Sequence, residues 1–147
     1  MTRRLRWLAL LLGLAPAPRA GAEELPPEQV RAAVTKSLPL LTKGAAGHMA
    51  NRTCFACHNQ HTPVLALVTA RARGFTVDDV EVGKNMKFIN DFLDKNRANY
   101  LQGRGQGGQV DTAGYALWSL ELGDWQANET TAAVAEYFLL YHQYTPF

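Results

Sequence analysis

The sequence predicts an all-α fold built from αα-hairpin repeats of about 50 residues. Three observations predict it. Apolar residues recur at helical spacing, while the alternating pattern of a strand is almost missing. The helical stretches are punctuated by capping residues at their starts and glycines at their ends. The chain also matches itself when shifted by 50 residues.

The first predicted helix opens at "PPEQVRAAVTKSLPLL", with Pro27 in its first turn and Val30, Val34, Leu38 and Leu41 on one face. Pro39 should kink it or begin a short second helix capped by Ser37, and "KGAAGH" should break it. "HTPVLALVTARARG" predicts the second, with Thr62 as N-cap, Pro63 in the first turn and Gly74 as the stop. "TVDDVEVGKNMKFINDFLDK" predicts the third, capped by Thr76, with Val80, Phe88 and Phe92 facing inward. The acids Asp78 and Asp79 suit the positive end of its dipole. "GRGQGG" (103–108) is a loop, without the Lys-Ser/Thr of a phosphate-binding turn. "DTAGYALWSLELG" gives a fourth helix, capped by Asp111 and stopped by Gly123. "NETTAAVAEYFLLYHQ" gives a fifth, capped by Asn128. Tyr115, Trp118, Trp125, Tyr137 and Phe138 are expected in the core.

At a shift of 50, "HTPVLALVTARARGF" (61–75) meets "DTAGYALWSLELGDW" (111–125). Thr62 falls on Thr112, Ala66 on Ala116, Leu67 on Leu117 and Phe75 on Trp125. Few residues are identical, but caps, apolar positions and stops coincide, as in stacked helical repeats. The same shift sets residues 54–58 opposite 104–108, in the loop before the second helix of a hairpin. Loops at the end of a helical layer commonly carry function.

The first 22 residues read as a secretory signal peptide, leaving 23–147 as one helical repeat domain. Arg3, Arg4 and Arg6 precede an apolar stretch from Trp7 to Ala15, and Ala20-Gly21-Ala22 supplies small residues for cleavage. The apolar stretch falls well short of the ~20 residues of a spanning helix, so no stable membrane insertion is expected after its removal. Cleavage leaves eleven Lys and Arg against thirteen Asp and Glu, a balance that does not suit nucleic-acid binding. The expected location is periplasmic or secreted, where an idle thiol pair tends to oxidise.

Both cysteines lie in "NRTCFACHNQH", as Cys54-x-x-Cys57-His58. C-x-x-C-H is the attachment pattern of c-type haem. Two thiols at this spacing form thioethers at one porphyrin edge, and the adjacent imidazole ligates the iron. Cys54 and Cys57 are therefore the expected covalent anchors, and His58 the proximal ligand. Met86, His48 and Met49 are the candidates for the distal position, although Met86 also suits core packing in the third helix. His61 is close enough to His58 to stay on the same porphyrin face, and His142 reads as a surface residue. Other readings stay open. Zinc could take Cys54, Cys57, His58 and His61, but all lie within eight residues, whereas zinc sites usually join two separated pairs. A thioredoxin-like pair would want a βαβ context. A Cys54–Cys57 disulfide would close too small a loop to constrain the unfolded chain much.

With these residues in view, the chain resembles a group of exported bacterial proteins whose helical repeats look like those of squalene cyclases and prenyltransferases. The resemblance rests on "CFACHNQHTPVLALVTARARGF" and on "NYLQGRGQGGQVDTAGYALWSLELGDWQANETTAAVAEYFLLY", and covers roughly residues 28–142. It implies a partial α/α-toroid-like array of alternating inner and outer helices. Two hairpins and part of a third fall short of a closed toroid, so the expectation is a fragment, a truncated relative or an array completed by a partner. Squalene-type cyclases use a D-x-D-D acid motif, which "VDDVE" does not fit, so terpenoid cyclase activity does not carry over. The group it resembles also lacks the helix order and the Met-Pro ligand segment of ordinary small cytochromes c, so that fold is not the expected host. The functional expectation is an exported module with one covalent haem c, serving electron transfer or redox sensing with a redox partner protein. The alternative is a non-haem module that binds an apolar ligand or a protein.

Overall fold

The computed structural model describes residues 25–144, with side chains described as far as Tyr141. The expected signal peptide, 1–22, and the His142 side chain lie outside the described residues. The order is α1 (Pro27–Asn51), a π-turn (Cys57–His61), α2 (Thr62–Ala72), α3 (Asp79–Lys95), α4 (Arg97–Tyr100), α5 (Gln109–Leu122) and α6 (Glu129–Tyr144). The fold is all-α, and no strand occurs among the described residues. One layer holds α1, α3 and α6, with α3 in the middle, and α2 packs beside α5 in the other.

The 50-residue repeat is written into the hydrogen bonds. After α2, Phe75 N–H donates to Ala70 O at 3.0 Å; after α5, Trp125 N–H donates to Leu120 O at 3.0 Å. The left-handed residue in the first turn is Gly74 (φ +77°), and in the second it is Asp124 (φ +57°). Asp78 Oδ1 then caps α3 by accepting from Val80 and Glu81 N–H, both at 3.1 Å. Asn128 Oδ1 caps α6 by accepting from Thr130 and Thr131 N–H, at 3.0 and 3.1 Å. Each cap satisfies donors that a helix cannot satisfy internally.

The core lies between the layers. Val64 and Leu67 of α2, Ile89 and Leu93 of α3, Ala113 and Ala116 of α5, and Val134 and Tyr137 of α6 are buried together. The small side chains of α5 let α3 approach closely. Gly105 serves packing too: a Cβ there would collide with the Tyr137 hydroxyl and lie 2.9 Å from Gln109 Oε1.

Several sequence expectations are corrected. No second helix starts at Pro39, and α1 continues through "KGAAGH" to Asn51. Pro39 and Thr35 are exposed, so water can take the carbonyl that the proline leaves without its usual donor. Buried Leu38 and Ala45 hold the long helix against its neighbours, and tertiary packing overrides local propensity. The cap of α3 is Asp78, not Thr76. Val80 points outward, 68% exposed, because the buried stripe runs through Val82, Met86, Ile89 and Leu93. Helix α5 starts at Gln109 after left-handed Gly108, which leaves Asp111 in the first turn. Tyr115 and Trp118 are exposed rather than core.

Candidate functional site

The segment from Arg52 to His61 is fixed from three sides. Helix α1 ends where Arg52 N–H donates to His48 O at 2.8 Å. Phe55 is then buried and packs against Phe92, with ring centroids 6.0 Å apart. Extended Ala56 donates its N–H to Gln60 Oε1 at 2.7 Å, and its carbonyl accepts from Gln60 N–H at 2.9 Å. Gln60 is fully buried, and its carbonyl accepts from Asn85 Nδ2 of α3 at 3.3 Å.

The third constraint is His48. Its Nδ1 lies 3.1 Å from Asn59 Nδ2, an obligate donor, so Nδ1 accepts. The proton is therefore on Nε2, which donates to Cys54 O at 2.7 Å. Both ring nitrogens of this distal-ligand candidate are thus engaged in clamping the loop. The other two candidates lie elsewhere. Met86 is 2% exposed in the α3 core, where it meets Gly123, and Met49 is half-buried near the end of α1.

The clamped loop enters the π-turn at Cys57. Thr62 N–H closes the turn on Cys57 O, and the Thr62 hydroxyl donates to the same carbonyl at 3.3 Å. Thr62 is thus the first residue of α2 and not its cap. The wider turn admits one extra residue, a feature common at functional sites. It sends the histidines three residues apart to different surroundings. His58 is exposed, and its ring has no hydrogen-bond partner among the described residues.

His61 points inward against α5 and is 5% exposed. Its ring lies on Trp118 and Tyr115, with centroids 4.6 and 5.0 Å away. Ser119 Oγ gives its one hydrogen to Tyr115 O at 2.7 Å, so at 3.0 Å from His61 Nδ1 it must accept. His61 is therefore the Nδ1–H tautomer, and burial holds its pKa below the ordinary imidazole value.

The structure keeps Cys54, Cys57 and His58 together on one constrained loop. Both thiols are unpaired, with Cys54 exposed and Cys57 half-buried against the core. Two nucleophilic sulfurs and a solvent-facing imidazole without a competing partner are a donor set that fits covalent haem. The zinc arrangement lacks its fourth member, because His61 turns to Ser119. Among the described residues, no three His, Cys, Asp or Glu side chains come together as a metal site.

The supporting residues Gln60, Asn85 and Ser119 escaped the sequence reading, and His48 was read as a possible iron ligand rather than as the loop clamp. One signal was present for Gln60. At the 50-residue shift it falls on Val110, so a polar residue stands where the other unit has an apolar one. No family model matches the chain, and neither a curated protein nor a solved structure matches it.

Proposed function

We propose that this chain is an exported helical module carrying one covalent haem c, for electron transfer or redox sensing. The carrying observation is the division of labour among the histidines. His48 and His61 have hydrogen-bonding roles, whereas His58, beside Cys57, keeps its ring unpartnered among the described residues. Cys54 and Cys57 would hold the porphyrin through thioethers, and His58 would ligate the iron. When bound, the haem supplies a one-electron iron couple. The His48, Gln60 and Phe55 contacts would keep the two sulfurs and the imidazole on a backbone that need not be ordered anew. The resemblance to exported C-x-x-C-H proteins with helical repeats supports the same reading. So does the leader-like segment 1–22, which would deliver the chain to the compartment where a redox partner protein meets it.

The test is coexpression with a periplasmic haem-attachment system, followed by intact mass and absorption spectra. A mass excess of one haem and a c-type reduced spectrum are expected. Cys54→Ala with Cys57→Ala should lose the covalent adduct. A folded, haem-free product under conditions that mature a control cytochrome would refute the reading.

A further inference from the structure

The α1–α2 hairpin carries a second feature, which meets the loop only at Thr62. A groove of about 1040 Å³ runs between the two helices. That is at the upper end of the ~300–1,000 Å³ usual for small-molecule sites. Its floor is the α1 stripe Val30, Val34, Leu38 and Leu41, faced by Leu65 and Phe75. Val30 is 47% exposed and Leu65 36% exposed, so this apolar surface is open to solvent.

Among the described residues, the charges of the groove are all of one sign and at one end. The helices are antiparallel through the loop, so the start of α1 lies beside the end of α2. Arg31 and Arg73 line that end, and no Asp or Glu among the described residues lines the groove. Neither guanidinium meets a carboxylate among the described residues. The arginine within α2, Arg71, is paired with Asp79 at 2.8 Å. Arg31 stacks on Phe75 at 4.5 Å from the ring centroid. Stacking uses its flat face and leaves its in-plane N–H donors available, the edge that recognises a carboxylate.

We propose that this groove binds a long-chain carboxylate. Its head would lie on Arg31 and Arg73, and its hydrocarbon chain along the Val34–Leu41 stripe. From Arg31 to Leu41, α1 rises about 15 Å at ~1.5 Å per residue. A chain of roughly a dozen methylenes spans that length, since a C–C bond of ~1.5 Å advances about 1.25 Å per carbon. Burial of the chain drives binding, and the arginine pair selects the sign of the head group. The site does not use Cys54, Cys57 or His58, so it stands or falls separately from haem.

The probe is dodecanoate, titrated calorimetrically below its micelle concentration into protein purified from an exporting host. Saturable binding is expected, weakened at least tenfold in Arg31→Gln with Arg73→Gln. Dodecyltrimethylammonium, with the same chain and the opposite charge, should bind at least tenfold more weakly. Ala66→Trp, which places a large ring in the groove, should abolish binding while circular dichroism stays helical. Cys54→Ala with Cys57→Ala should bind dodecanoate normally, even where haem attachment is lost. Equal binding of the two amphiphiles, no effect of Ala66→Trp in a folded protein, or no binding at all would overturn the proposal. So would a dimer, seen by sedimentation, that closes the groove and persists in dodecanoate.

Discussion

Replacing His61 by phenylalanine should remove a pH dependence of stability that the native protein carries. His61 is 5% exposed and held neutral, with its pKa below the ordinary value of 6.5. The unfolded chain takes up a proton near that value, and the folded chain does so only at lower pH. Between the two, the unfolded state binds more protons, so stability falls as pH falls. The slope approaches about 1.4 kcal/mol per pH unit below 6.5, until the folded-state value is reached. At pH 5 the loss relative to neutral pH is therefore at most about 2 kcal/mol. The phenylalanine ring can keep the stacking on Trp118 and Tyr115 but cannot titrate. Urea denaturation of both proteins from pH 7.5 to pH 5 isolates the effect, because every other group cancels in the difference. The native protein should lose its advantage over the variant progressively below pH 6.5. Parallel curves would refute the assignment of His61 as a buried neutral imidazole, and so would a native protein that gains stability on acidification.

The remaining predictions concern the two turns and the loop clamp. Asp124→Gly should stabilise the fold by about 0.5 kcal/mol, because its left-handed φ suits glycine; Gly74→Ala should cost about 1 kcal/mol at the equivalent turn. Thermal denaturation of the two variants checks for opposite signs, and equal signs would contradict the turn equivalence. His48→Ala removes the hydrogen bonds to Cys54 O and from Asn59, for a loss of about 1–2 kcal/mol. Amide exchange by mass spectrometry should speed up across residues 53–61 and not in α5; unchanged exchange in the loop would refute the clamp.

The sequence made the helices and their repeat legible because caps, stops and apolar stripes are local signals. Gly74 and Asn128 could be assigned from their neighbours alone. The course of α1 could not. Pro39 and the two glycines of "KGAAGH" argue locally for a break, and only packing through Leu38 and Ala45 shows why the helix continues. The C-x-x-C-H segment was equally visible, but its support was not. The partner that fixes the His61 tautomer, Ser119, is 58 residues away, and Asn85 reaches Gln60 across 25 residues. Tyr115 and Trp118 were misplaced because an aromatic at helical spacing reads as core, whereas here both cover a buried imidazole from the outside.

The π-turn has a consequence for insertions and deletions in this chain. It is an α-helical turn with one residue too many, fused without a break to α2. Deleting one residue between Cys57 and Thr62 would let α2 extend backwards as ordinary helix, with Val64 and Leu67 still in place. The bond from the threonine N–H to Cys57 O would become an ordinary i→i+4 helical bond, so the chain upstream of the turn would keep its place. The loss would fall inside the turn, on the Asn59 bond to His48 and the Gln60 bond to Ala56 N–H, while His48 would keep its bond to Cys54 O. A single codon therefore separates an ordinary helical turn from one that sets an exposed and a buried histidine three residues apart.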